Sequence, residues 1–217
     1  MRHRLLPTAL RWLAALLVLR VLAATLANYP DYFPPDFDSL FLQGREATFA
    51  GAYRVAFYAH VVTAPVVLLT GLLLMSRAVV RRRRLHRVLG RGHVGVLLGL
   101  VLPSGAVMAR HAFGGAAAGL SFFLLSAATA ACAVVGVAHA RGGRFDRHRA
   151  WMTRCYVLLC SAVALRLVSG AAGLVGVASP EAAYVTAAWA SWLLPLAGVE
   201  VTERWRRAAP GSRPDAP

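Results

Sequence analysis

Apolar residues fall into six runs of about twenty, and most of the charge lies between them. A helix rising ~1.5 Å per residue needs about 20 residues to cross the ~30 Å hydrocarbon core of a bilayer. The pattern therefore predicts an all-α integral membrane protein with transmembrane helices over residues 5–27, 53–75, 94–109, 119–140, 150–175 and 183–201. These make one six-span domain over residues 1–203, followed by a short disordered tail at 204–217. The basic start, Met1-Arg-His-Arg, followed by an apolar run is like a secretion signal, but the run is too long for one and Leu26-Ala-Asn-Tyr-Pro is a weak cleavage site. It reads as a retained first helix.

The sign of the charge alternates from loop to loop. Arginines crowd the N-terminus, the second loop (Arg81 to Arg84, Arg87, Arg91), the fourth loop (Arg141, Arg144, Arg147, Arg149) and the tail (Arg204, Arg206, Arg207). The first, third and fifth loops hold Asp31, Asp36, Asp38, Glu46 and Glu181. Cytoplasmic loops retain arginine, so both termini are expected in the cytoplasm. Tyr29, Tyr32, Tyr53 and Tyr184 then fall at the outer interface, and Trp12, Trp151 and Trp205 near the inner one, where amphipathic rings settle.

Spans two to five show an internal echo. Each pair is a helix, an arginine-rich loop with a His-Arg step (His86-Arg87, His148-Arg149) and a returning helix. Two such hairpins predict a central antiparallel four-helix bundle, flanked by spans one and six. Small residues at Gly95/Gly99, Gly115/Gly119 and Gly170/Gly173/Gly176 are candidate packing surfaces. Pro65 removes the donor for the Val61 carbonyl, and Pro103 with Gly105 bends the third span. The long first loop, Tyr-Pro-Asp-Tyr-Phe-Pro-Pro-Asp-Phe, favours extended and turn backbone. It is either a cap over the bundle or a plain connector.

Composition changes this picture little. A charge of +15 would ordinarily suggest nucleic acid, but here it sits at span ends, so the expected partner is the lipid bilayer and not nucleic acid. All 24 cations are arginine. Cys132, Cys155 and Cys160 lie within spans and outside any CxxC spacing, as small apolar helix residues do.

Ionisable groups inside spans are the sharpest functional hint, because the bilayer penalises them unless they are paired or hydrated. Arg20 lies ~22 Å from the inner end of its helix, Arg166 ~24 Å from its own, and His60 ~10 Å below the outer end. All three reach a similar depth in the outer half. With Arg54, Tyr58, Ser169 and Glu46 nearby, they define a candidate ligand pocket for a carboxylate, a quinone oxygen or a lipid headgroup. The competing reading is an internal hydrogen-bond cluster with snorkelling arginines.

A second group is His86, His93, His139 and His148 near the inner face. Neutral imidazoles hold b-type haem between membrane helices, and arginines pair with its propionates. His86 and His93 share a face if the third helix extends back through both. One bis-histidine pair is geometrically feasible, with His60 a further candidate and Arg87 and Arg154 as counter-charges. The competing reading is histidines capping helix ends. There is no HExxH and no phosphate loop, and Asp146 is the only acid in the inner loops, so a hydrolytic metal site there is not expected.

The strings Phe57-Tyr-Ala-His60, Leu85-His-Arg-Val-Leu-Gly90 and His148-Arg-Ala-Trp-Met152-Thr-Arg154, with Leu165-Arg166 downstream, resemble an uncharacterised bacterial family of predicted membrane proteins. The resemblance covers about residues 33–175. It implies a multi-span protein of the bacterial inner membrane and carries no established activity. A looser similarity is to four-helix membrane cytochromes b, but residues 119–130 hold no histidine to partner His60, so a second haem is not expected. The functional expectation is an electron-transfer or quinone- or haem-interacting protein. The alternatives are an anion- or lipid-binding transport protein using the Arg/His pocket, or a membrane assembly factor whose arginine loops face anionic lipids.

Overall fold

The computed structural model describes residues 2–39, 41–175 and 179–208, with side-chain surroundings from Trp12 onward except at 172–175 and 206–207. Six helical spans are long and apolar enough to cross a membrane: Trp12–Asp31, Gly51–Met75, Arg83–Ala109, Gly115–Arg141, Phe145–Ala171 and Pro180–Trp205. They are built from α1 (Arg2–Ala27), α2 (Gly51–Met75), α4 (Arg83–Val96) running through a π-helical turn (Leu97–Val101) into α5 (Leu102–Ala109), α6 (Gly115–Arg141), α7 (Phe145–Leu159) with α8 (Ser161–Val175), and α9 (Pro180–Ala208). A short α3 (Arg77–Arg81) joins α2 to α4. The last helix continues past residue 203, and residues 209–217 lie outside the described set.

Spans two to five close a ring, each packing on the next and the fifth returning to the second. Span one lies against spans two and five, and span six against four and five. The shared core contains Val67, Leu97, Val101, Cys132, Ala133, Cys155, Leu158 and Trp192, which come from spans two to six. One cross-link is polar: the Trp192 indole donates to Ser121 Oγ at 2.9 Å, and that hydroxyl donates to the Ala188 carbonyl at 3.0 Å. The bundle has an arginine face and an aromatic face.

Two expectations need revision. The third helix begins eleven residues before 94, at Arg83. No glycine or proline interrupts residues 83–89, and arginine and leucine are good helix formers, so the helix runs on beyond its apolar part. His86 and His93 therefore share one helix. Of the small-residue surfaces, only Gly119 is a close contact: a Cβ there would stand 2.6 Å from the Ala109 carbonyl oxygen. Gly95, Gly99, Gly115 and Gly170 face open space, and the side-chain surroundings of Gly173 and Gly176 lie outside the described set. Of the two readings left open for the first loop, the packed cap is the one seen. Leu42 and Phe57 are 0% exposed, in a cluster with Tyr32, Phe49 and Tyr53 that is braced by edge-to-face rings.

Candidate functional site

Beneath the cap lies a cavity of about 320 Å³, and all six spans contribute to its wall. Most of the wall is aliphatic, including Val21, Leu22, Leu68 and Val163. Two backbone irregularities border it. The π-helical turn ends at Val101, and span five is broken between Leu159 and Ser161; Val101, Leu159 and Ser161 all line the space. Such turns widen a helix and redirect its carbonyls.

His60 and Arg166 both line this cavity. His60 Nδ1 lies 3.2 Å from the Val101 carbonyl and 3.2 Å from Ser104 Oγ. A carbonyl can only accept, so Nδ1 carries the proton and the neutral ring presents Nε2 as an acceptor. Gly105 packs beside that ring, where a Cβ would stand 3.4 Å from it, an ordinary contact. Arg166 donates from one Nη to the Ala162 carbonyl at 3.0 Å. Its side chain is exposed, as that of Arg20 is, but unlike Arg20 it lines the open cavity and has protein around much of it. It lies within electrostatic reach of His60, Tyr32 and Tyr184. Among the described residues no carboxylate pairs with it.

The other residues expected in this pocket lie outside its wall. Arg20 and Arg54 are exposed. Tyr58 supports the cap instead, donating to the Tyr32 carbonyl at 3.1 Å. The Ser169 hydroxyl is buried without a partner among the described residues.

Sequence reasoning missed Arg45, and it did not place Tyr32, Tyr184 or His111 in the pocket; all four line the cavity. Arg45 holds the cap down. It donates to Tyr53 Oη at 3.1 Å, to the His111 carbonyl at 2.8 Å and to the Phe41 carbonyl at 3.0 Å, with its guanidinium 5.1 Å from the Phe41 ring centroid. A lone arginine in an otherwise acidic stretch was the available signal. Burial pushes the Tyr32 phenol above its ordinary value, so it stays a neutral donor.

At the arginine face, His86 and His148 meet with ring centroids 6.4 Å apart and planes at 88°. His148 Nδ1 donates to the Gly136 carbonyl at 2.9 Å, which leaves Nε2 free to accept or ligate. The Nδ1 atoms of His86 and His139 are buried without partners among the described residues. His93 is buried elsewhere, between spans two and three, with Nδ1 2.9 Å from Thr70 Oγ1. Arg87 is exposed. Arg154 is engaged in a bidentate pair with Glu200, at 2.5 and 3.0 Å, and lies over the Trp151 ring. Its charge is already neutralised, so it is poorly placed as a haem counter-charge.

A family described as predicted membrane protein (DUF2306) matches residues 57–201. The chain belongs to this family. No curated protein and no solved structure is detectably similar to it. The DUF2306 match takes in spans two to six apart from the start of α2 before residue 57 and the end of α9, and therefore His60, Arg166 and the inner histidines. It excludes span one, the cap and Arg45. In this DUF2306 protein the cavity is thus roofed by a segment outside the family match.

Chemically, the cavity offers cationic donors from Arg166, an acceptor on His60 Nε2, and phenols from Tyr32, Tyr53 and Tyr184, above an aliphatic floor. No acid lines it among the described residues. It has the means to hold a polar head and an apolar body.

Proposed function

We propose that this membrane protein binds a lipid-soluble ligand in the capped cavity, as a binding or transport protein. The observation that carries this reading is the cavity itself: all six spans wall it, and an unpaired Arg166 and a half-satisfied His60 turn toward it. An uncompensated guanidinium at membrane depth is costly, and a bound ligand head offsets that cost. The test is thermal unfolding of protein in phosphatidylcholine nanodiscs with a panel of lipophiles: a long-chain alcohol, a long-chain acid and a short-tail quinone. At least one should raise the midpoint saturably. If none does, the reading fails.

A second reading is redox, and one observation favours it. Two imidazoles that share a metal at ~2 Å from each nitrogen have ring centroids about 6 Å apart, and His86 and His148 stand at 6.4 Å. His148 also has the Nδ1-to-carbonyl bond typical of a ligating histidine. These two residues would hold a b-type haem, with Arg87 at hand for a propionate, and the haem would supply one-electron chemistry. Protein purified after expression with ample haem should show a Soret band that is lost in His148→Ala. No band would end this reading.

We also infer that the arginine face is cytoplasmic and the capped cavity opens toward the outer leaflet of a bacterial inner membrane. The charge distribution supports this orientation.

A further inference from the structure

We propose that the occupant is a single-chain lipophilic carboxylic acid, its carboxyl group held between Arg166 and His60. This rests on the reading of the cavity as a ligand site and names the ligand class.

Charge is the first argument. Arg45 and Arg166 line the cavity, and among the described residues no aspartate or glutamate does. Arg45 commits Nε and one Nη to tying the cap to spans two and three, through Phe41, Tyr53 and His111. Arg166 spends only one, on Ala162, and so keeps most of its guanidinium edge for a ligand. A neutral quinone or alcohol would leave this cation uncompensated in a medium of low dielectric. A carboxyl group compensates it and matches the planar fork.

Hydrogen-bond polarity is the second argument. Arg166 can only donate, whereas neutral His60 offers a lone pair on Nε2 because Nδ1 is committed to the Val101 carbonyl. The head must therefore accept on one side and donate on the other. A carboxylic acid does both: one oxygen accepts from Arg166, and the O–H donates to Nε2. If the proton passes along that hydrogen bond, the O–H bond breaks, an N–H bond forms on imidazole, and the carboxylate remains on Arg166.

Size is the third. About 320 Å³ lies at the lower end of the ~300–1,000 Å³ typical of small-molecule sites. That volume suits one slim chain better than a two-chain phospholipid. The aliphatic seam of Val21, Leu22, Leu68 and Val163, from spans one, two and five, is where the chain would run.

The test compares tetradecanoic acid, tetradecanol and a short-tail quinone on protein in phosphatidylcholine nanodiscs, by saturable thermal shift and by competition with a fluorescent tetradecanoate. The acid should bind at least about tenfold tighter than the alcohol, the scale of a charge-assisted hydrogen bond. Arg166→Gln should remove that preference while alcohol binding persists, and Arg166→Lys should retain part of it. Retained alcohol binding also shows that the variant is folded. Equal affinity for acid and alcohol, or a preference for the quinone, would overturn the carboxylic-acid assignment and leave the cavity as a ligand site. No binding by any of the three would sink both.

Discussion

The phenol of Tyr29 donates to the backbone carbonyl of Val61, the group that Pro65 leaves without its helical donor. A residue in the turn that closes span one thus repairs a defect in the middle of span two. Inside a bilayer there is no water to do this, so the side chain is a structural requirement of the bend. Tyr29→Phe should destabilise the protein by about 1–3 kcal/mol, the cost of a buried unsatisfied acceptor. The same change in a Pro65→Ala background should cost far less, because an alanine at that position returns an N–H to the Val61 carbonyl. Thermal unfolding of the four proteins gives the cycle; equal losses in both backgrounds would reject the link.

Close packing of spans three and four depends on one glycine. Gly119→Ala would place a methyl 2.6 Å from a backbone oxygen that cannot swing aside, so spans three and four must move apart. A loss of about 1–3 kcal/mol is expected, as for other overpacked sites. Gly95→Ala meets nothing within 4 Å and should be neutral or stabilising by ~0.5–1 kcal/mol, because alanine is the better helix former. Unfolding midpoints that fall equally in both would contradict this account of the interface.

Arg154 and Glu200 tie span five to span six near the arginine-rich end of the bundle. The arginine is 12% and the glutamate 40% exposed at the side chain, so the pair is only partly screened. Glu200→Leu strands a guanidinium and should cost roughly 2–4 kcal/mol. Arg154→Leu with Glu200→Leu removes both charges and should recover much of that loss. A double variant as unstable as the sum of the single ones would show that the pair is not the reason for the cost.

Much of this architecture was legible in the chain, and the failures have identifiable causes. Six spans follow from apolar length and from the alternation of arginine and acid between them, because the bilayer enforces both. His60 and Arg166 stood out because an ionisable side chain inside a span needs a reason, and both line the cavity. Arg20 fits the same rule and the same depth, yet it does not line the cavity: periodicity gives height along a helix better than it gives azimuth in a uniformly apolar one. Arg45 was overlooked because loops carry no period, and its one signal was a lone positive charge in an acidic stretch. The Arg154 pairing with Glu200 was hidden because the contact spans 46 residues of sequence. The early start at Arg83 was missed because hydropathy marks where a helix is greasy, not where it begins.

Orientation across the membrane is the remaining expectation with a direct test. In a cysteine-free background, Asp38→Cys on the cap and Arg147→Cys on the arginine face report opposite sides, and both parent residues are exposed. The background is attainable because Cys132 and Cys155 are buried small residues in the core and Cys160 is half-buried, so alanine or serine should be tolerated at a modest stability cost. A membrane-impermeant maleimide applied to intact bacterial spheroplasts should label Asp38→Cys and spare Arg147→Cys until the membrane is broken. The physical reason is that translocating a loop with four arginines and one acid is disfavoured, whereas the acidic cap crosses without that penalty. Labelling of Arg147→Cys in intact cells would invert the protein. The cavity would then face the cytoplasm, and its ligand would have to be sought in the inner leaflet.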